Sequence, residues 1–169
     1  ALVFTAMFTA YTYLADTLER LAGIEPSQVG WWLMGFGAIG MLGNHFGGRL
    51  VDRSPLGATV LFLLLLAVGM LAATPLAIHP VGLIVALMVW GIAYTALFPV
   101  CQVRVMRAGA TAQALAATMN VSAANAGIGL GAIVGGLGIR HLGLESLGII
   151  SAVIAALAIL VALLLMRRQ

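Results

Sequence analysis

Charge is scarce in this sequence. Only 8% of the residues are charged, whereas 63% are hydrophobic. A typical soluble domain has about a quarter of its residues charged, so this composition excludes an ordinary soluble protein and indicates an integral membrane protein. The net charge of +3 is interpreted as a sign of membrane orientation, and nucleic acid is not expected as a partner.

Cysteine and the usual catalytic patterns are also missing. The single cysteine, Cys101, excludes an internal disulfide and a cysteine-rich metal site. The sequence has no zinc-binding histidine pair, no phosphate-binding loop and no Gly-x-Ser-x-Gly nucleophile. We therefore expect no enzyme activity, no catalytic residues, no metal and no cofactor.

Long apolar runs dominate what is present. A helix of roughly 17 to 24 apolar residues can cross a hydrocarbon core of about 30 Å, and six such runs can be drawn. They are residues 2–18, 29–48, 56–73, 81–100, 115–138 and 144–166. Every connection is short, so neighbouring helices should be antiparallel. The predicted fold is an all-α polytopic membrane protein with six transmembrane helices in one bundle.

The arginines predict how this bundle is oriented. Six of the eight fall on the side of the 48–55 turn, the 101–113 loop and the C-terminus, and only Arg20 and Arg140 fall on the other side. Basic residues favour the cytoplasmic side of a membrane, so both ends of the segment should be cytoplasmic. The sequence starts at Ala1, directly in an apolar run and without a methionine, which suggests that it was cut from a longer chain.

Polar residues share one face of the first apolar run. Thr5, Thr9, Thr12 and Asp16 are spaced by three or four residues, which is typical of one helix face. Tyr11 adds a ring able to stack on a flat ligand. Asp16 is a candidate coupling group, because an ionisable residue at membrane depth is often functional. The alternatives are a solvated helix end for Asp16 and bonds within the helix for the threonines.

Further candidates for a polar interior lie in the fourth and fifth runs. Trp90 and Tyr94 are four residues apart and therefore share a helix face. Asn120 and Asn125 need hydrogen-bond partners in lipid surroundings, either from neighbouring helices or from a substrate. Glycines recur every four residues between positions 127 and 135, a spacing that permits close helix packing.

A charged segment separates the second run from the third. Residues 48–53 read Gly-Arg-Leu-Val-Asp-Arg. Each charge would cost about 2.5–3.5 kcal/mol at the centre of a bilayer, so we predict a turn at the membrane surface. Asp52 is able to cap the following helix, and Arg53 or Arg104 is able to pair with Asp52.

This segment resembles the Gly-x-Leu-Ala-Asp-Arg loop motif of the major facilitator superfamily. The motif joins the second and third helices of that family, and a weaker copy joins the eighth and ninth. The resemblance extends over the whole chain through Tyr11-Thr12-Tyr13, Pro99-x-x-Gln102-x-Arg104 and residues 120–127. The set is similar to helices seven to twelve, the C-terminal half, of drug, sugar or nucleoside exporters related to proton antiporters. Residues 54–57, Ser-Pro-Leu-Gly, replace the usual glycine and basic cluster, which suits the weaker copy.

The resemblance implies half of a secondary active transporter that exports small organic compounds in exchange for protons by alternating access. Its partners would be the N-terminal six-helix half of the same polypeptide, the substrate, protons and the lipid of a bacterial inner membrane. The cavity residues predicted from these helix faces are Thr9, Tyr11, Thr12, Trp90, Tyr94, Asn120 and Asn125. The implied gating residues are Gly48, Asp52, Arg53, Gln102 and Arg104. A self-sufficient six-helix channel or a homodimeric transporter is the alternative.

Overall fold

The fold is entirely helical over residues 1–166, which the computed structural model describes, with side chains described to residue 164. The α-helices in this range are α1 Leu2–Tyr11, α2 Leu14–Arg20, α3 Pro26–Arg53, α4 Pro55–Ala73, α5 Pro80–Ala108, α6 Gln113–Leu142 and α7 Leu147–Met166. Two short 3-10 turns, Ala110–Ala112 and Leu144–Ser146, precede α6 and α7. Arg167 and Arg168, which contribute to the predicted orientation, lie outside the described residues.

Each predicted apolar run coincides with helix, and four of the helical segments are long and apolar enough to cross a membrane. These are Pro55–Ala73, Pro80–Ala108, Ala110–Leu142 and Leu144–Leu164. The all-α polytopic class is consistent with this result. The number six for the spans stays a prediction, because the first run is interrupted and α3 does not meet the same criterion.

The first run is two helices rather than the single helix expected over residues 2–18. At the break, the backbone N–H of Tyr13 donates to the carbonyl of Ala10, three residues back, instead of continuing the α-helical pattern. The Tyr13 hydroxyl donates to the carbonyl of Ala132 in α6 at 2.8 Å. This bond between helices holds the break between α1 and α2 against α6.

Residues 48–53 are helical, which corrects the prediction of a turn there. Helix α3 continues through the charged residues to Arg53, and the chain changes direction at Ser54, which is extended. The Ser54 hydroxyl accepts the backbone N–H of Gly57 at 3.1 Å, and Pro55 occupies the first position of α4. Ser54 is therefore the cap of α4, and the prediction that Asp52 caps this helix is wrong.

The loop predicted over residues 101–113 is also mostly helix. Helix α5 runs on to Ala108 and α6 starts at Gln113, so only residues 109–112 connect them. Both Gln102 and Arg104 consequently lie on the last two turns of α5. This extension brings the end of α5 beside the end of α3 and the start of α6.

Glycines bring α3 and α5 into backbone contact along what we call the α3–α5 seam, formed by Gly40, Gly43 and Gly47. A Cβ atom added to Gly47 would lie 2.7 Å from the carbonyl oxygen of Ala96, closer than real Cβ contacts. The Thr95 hydroxyl crosses the seam and donates to the Gly40 carbonyl at 2.6 Å. Helix α3 cannot carry a larger residue at these three positions without moving away from α5.

A second line of contact, the α1–α6 seam, involves Gly127, Gly131 and Gly135. A Cβ atom on Gly135 would lie 2.6 Å from the Thr9 carbonyl oxygen, and one on Gly131 would lie 2.9 Å from the Thr5 carbonyl oxygen. The close packing predicted from the four-residue spacing is confirmed. The two seams hold α5 and α6 in place, and the candidate residues Gln102, Asn120 and Asn125 lie where these two helices meet.

Candidate functional site

A groove of about 410 Å³ lies between α1, α5 and α6. We call it the amide groove, because three side-chain amides, those of Gln102, Asn120 and Asn125, line it. Phe4 and Phe98 form its apolar wall, with ring centroids 5.3 Å apart in an edge-to-face arrangement. Helix α5 supplies Gln102, and α6 supplies the two asparagines.

Two of these amides form a hydrogen-bonded pair. The Asn120 side-chain nitrogen donates to the Gln102 side-chain oxygen at 2.7 Å. The Gln102 nitrogen approaches the Met106 sulfur at 3.6 Å, and thioether sulfur is only a weak acceptor. Asn120 is 9% exposed, and a buried amide requires such a partner. Gln102 was predicted in the gate and Asn120 in the cavity, yet the structure brings them together in one site.

Arg104 lines a neighbouring cavity of about 490 Å³ between α1, α5, α6 and α7. We call it the arginine cavity. Phe4 and Asn120 line both cavities, so Asn120 stands at their boundary. A cation on one side and neutral amides on the other give the combined space a positive character.

The predicted aromatic cavity residues form a separate packed cluster. The Tyr11 and Tyr94 rings stack on each other, with centroids 4.5 Å apart. Trp90 is 2% exposed and meets Phe36 edge-on at 5.6 Å. The lining of the amide groove and of the arginine cavity includes none of these four side chains. The structure therefore does not bring Tyr11, Trp90 and Tyr94 together with Asn120 and Asn125, and their role in binding substrate stays a prediction.

The threonines of the first helix bond within that helix. The hydroxyl of Thr9, which is buried, donates to the Thr5 carbonyl at 2.8 Å, and the exposed Thr12 donates to the Phe8 carbonyl at 2.7 Å. Such bonds to the fourth preceding carbonyl satisfy a hydroxyl without any ligand. The structure thus favours the alternative interpretation of this polar face.

Asp16 is exposed in the first turn of α2. A carboxylate at this end of a helix is favoured by the helix dipole, which agrees with a solvated helix end. Asp16 lines neither the amide groove nor the arginine cavity. Among the described residues, no group of three or more His, Cys, Asp or Glu side chains is placed to hold a metal ion.

An ion pair joins the ends of α3 and α5. The Arg107 guanidinium lies 2.9 Å from the Asp52 carboxylate and also donates to the Val51 carbonyl at 3.2 Å. We call Asp52 and Arg107 the gate pair. The prediction that Asp52 pairs with Arg53 or Arg104 is wrong, because Arg107, one turn beyond Arg104, is the residue that reaches it.

The remaining motif residue, Gly48, has open space around the position of a Cβ atom, whereas Gly47 packs on α5. The close approach expected at both glycines therefore occurs only at Gly47. Sequence reasoning missed Arg107 as a functional candidate. Its signal was its position beside Arg104 in the basic segment, residues 101–113, that follows the fourth run.

Membrane-length helices, a groove lined with amides and an ion pair between helix ends are consistent with a polytopic membrane protein. The model of the Major Facilitator Superfamily matches residues 1–169. The chain belongs to this superfamily of membrane transporters, and the resemblance seen in the sequence is confirmed.

Two relatives from Escherichia coli match nearly the whole chain. The inner membrane transport protein YdhP of strain K12 is 39% identical over 165 residues, which cover 97% of this chain and 42% of the relative. The protein of the same name from strain O157:H7 is also 39% identical over 165 residues, with the same coverage of both chains. The chain thus spans about two fifths of the length of these relatives.

Proposed function

We propose that the chain is the C-terminal six-helix half of a secondary active transporter in a bacterial inner membrane. It exports small organic compounds in exchange for protons by alternating access between two six-helix bundles. Family membership and the 42% coverage of an inner membrane transport protein support this assignment. Both ends of the segment lie on the cytoplasmic side in this proposal, in agreement with the orientation predicted from the arginines.

The gate pair is the observation that carries the mechanism. It lies in the segment that resembles the family's loop motif and ties the last turn of α3 to the last turn of α5. Its side chains are 48% and 75% exposed, and exposed ion pairs contribute at most about 1 kcal/mol. A weak contact of this kind suits a latch that has to form and break in every transport cycle.

Proton coupling belongs mainly to the other half in this proposal. The five acidic residues of the chain, at positions 16, 19, 25, 52 and 145, are all exposed. A coupling carboxylate has to be shielded from one side of the membrane at a time, so the residue that carries the proton should lie in the N-terminal half. Asp16, the coupling candidate predicted from the sequence, is exposed like the other four.

Replacing Asp52 with asparagine tests the latch. Asp52→Asn keeps the size of the side chain but removes its charge, so we expect slower transport with unchanged substrate affinity. Arg107→Gln should slow transport at least as much, because it also removes the bond to the Val51 carbonyl. The double variant should be no worse than Arg107→Gln, because the ion pair is a single shared contact. Export is measured in vesicles with a compound found in a panel of drugs, sugars and nucleosides.

Glu19→Gln serves as the matched control, since Glu19 is an exposed carboxylate outside the gate pair. Equal losses of transport rate and of binding in Asp52→Asn would contradict the latch. So would a similar loss of rate in the control.

The intact mass of the native gene product separates the proposal from its alternative. The product would be isolated from its own membrane with a C-terminal tag. A mass more than twice the 17.5 kDa of this chain supports a half-transporter joined to a second bundle. A mass near 17.5 kDa would instead favour the self-sufficient channel or homodimer.

A further inference from the structure

We propose that the amide groove binds an uncharged amphipathic compound that presents one hydrogen-bond donor beside one acceptor, such as an amide or a hydroxyl-bearing drug or metabolite. This inference rests on the proposed transport function and adds the chemical class of the substrate. The recognising element is the Gln102–Asn120 pair, which neither the family match nor the relatives' names assign to a ligand.

The pair has an unused donor and an unused acceptor. The 2.7 Å bond uses one N–H of the Asn120 amide and one lone pair of the Gln102 oxygen. The Asn120 oxygen accepts no bond from any described side chain, and the Gln102 nitrogen has only a sulfur contact. If both amides were turned round, the same bond would leave a nitrogen of Asn120 and the oxygen of Gln102 free. At least one donor and one acceptor remain in either case.

The mutual bond also orients the two amides before a ligand arrives. Gln102 and Asn120 belong to different helices, and each would otherwise rotate freely at its end. Holding polar groups in place beforehand lowers the entropy cost of binding. The pair is therefore a preformed match for a ligand group that donates and accepts at neighbouring atoms.

The rest of the groove fits an apolar, partly aromatic body. Phe4 and Phe98 supply ring surface, and Ile128, Val121 and Pro99 complete the apolar lining. Aromatic rings favour edge-to-face or offset contacts with other rings. A compound of this kind would place its flat body on the phenylalanines and its polar group on the amides.

Charge argues against a cation as the substrate. Every residue that lines the amide groove is neutral, and the charged residue lining the adjoining arginine cavity is a cation, Arg104. A cation transferred from water to this groove would lose hydration and find no carboxylate among the lining residues of this half to replace it. A neutral ligand avoids this cost.

The test compares a neutral, a cationic and an anionic aromatic probe on the full-length transporter in proteoliposomes. Chloramphenicol is the neutral probe with amide and hydroxyl groups, tetraphenylphosphonium is the cation, and 1-naphthoate is the anion. Equilibrium binding and flux are both measured. We expect chloramphenicol to bind at least roughly 10-fold more tightly than the cation, because an unpaired charge in the groove is costly.

Variants assign the binding to the amide pair. Asn120→Ala and Gln102→Ala should each weaken chloramphenicol binding by roughly 3- to 10-fold, the value of one lost hydrogen bond. Asn120→Asp should raise cation affinity, because it adds the missing carboxylate. Asn44→Ala is the control, since Asn44 is an exposed asparagine of α3 that lines neither cavity.

Three outcomes would overturn the inference. Tighter binding of the cation, or chloramphenicol binding that is equal in wild type and Asn120→Ala, contradicts the substrate class while transport itself stands. Tighter binding of the anion, lost in Arg104→Ala, moves recognition to the arginine cavity. Neither binding nor flux for any probe would count against this inference and the proposed function together.

Discussion

Substitution of Gly43 by alanine should separate α3 from α5 and destabilise the protein. A Cβ atom at Gly43 would overlap the carbonyl oxygen of Ile92 and the hydroxyl of Thr95. Relief of this overlap requires the helices to move apart by roughly 1 Å, which loses a quarter to a half of the dispersion energy of each contact across the seam. The Thr95 hydroxyl, 2.6 Å from the Gly40 carbonyl, would lose its bond to α3.

The magnitude follows from three contributions. Inserting a methyl group into a tightly packed contact costs about 1–3 kcal/mol. The interhelical hydrogen bond is worth about 0.6 kcal/mol in a membrane protein. Alanine regains about 1 kcal/mol over glycine through helix propensity. The expected net loss for Gly43→Ala is therefore about 0.5–2.5 kcal/mol.

Gly37→Ala is the matched control, because Gly37 belongs to the same helix and has nothing within 4 Å of its Cβ position. It shares the propensity gain without the overlap, so the two variants should differ by about 1.5–3.5 kcal/mol. The assay is the free energy of unfolding, from SDS titration in mixed micelles followed by far-UV circular dichroism. Equal stability of the two variants would refute the backbone contact at the seam.

Two further substitutions test the break in the first helix and the cap of α4. Tyr13→Phe removes the bond to the Ala132 carbonyl and should cost about 0.6–1.7 kcal/mol in the same unfolding assay. The control is Tyr11→Phe, which should be neutral because the Tyr11 hydroxyl has no hydrogen-bond partner among the described residues. Equal losses of stability in the two variants would contradict the role of the bond. Ser54→Ala removes the cap and should cost about 1 kcal/mol, whereas Ser54→Asp retains an acceptor for the Gly57 N–H and should keep the stability of wild type. A loss in the aspartate variant as large as that in the alanine variant would show that the hydroxyl does not act as a cap.

Sequence reasoning predicted the helical class and the approximate position of each helix. An apolar run is a local property of the sequence, so it identifies a helix without any knowledge of the helices that pack against it. The glycine spacing of residues 127–135 likewise predicted close packing, because residues four apart share a helix face. Which helices pack against each other depends on contacts across the bundle, and the periodicity of one helix does not contain that information.

Helix ends were predicted less well, and residues 48–53 show why. The charged residues were interpreted as the end of a helix, but arginine, leucine and aspartate can all continue a helix beyond the apolar region of the membrane. The actual signal was Ser54 followed by Pro55, a cap and a first-turn proline. The extension to Arg53 then placed Asp52 within reach of Arg107.

The candidate site was predicted in part. The asparagines of the fifth run needed polar partners, and Asn120 has one in Gln102. The choice of Gln102 depends on how α5 and α6 cross, which the sequence does not reveal. The threonines of the first run did not need partners from other helices, because each of their hydroxyls has a carbonyl of its own helix within reach.

The seams also affect how easily this protein is recognised as a membrane protein. Glycine contributes little hydropathy, so a helix that gains close packing through glycine loses apolar character. Helix α6 has a mean hydropathy of 1.4 in its best window, against 3.0 for α7, and glycine-rich α3 falls below the criterion for a span. The two glycine-rich helices of the seams, α3 and α6, are thus ones that lipid alone would retain less well than α4, α5 or α7. Their place in a bilayer depends on neighbouring helices, so folding and retention in the membrane are coupled.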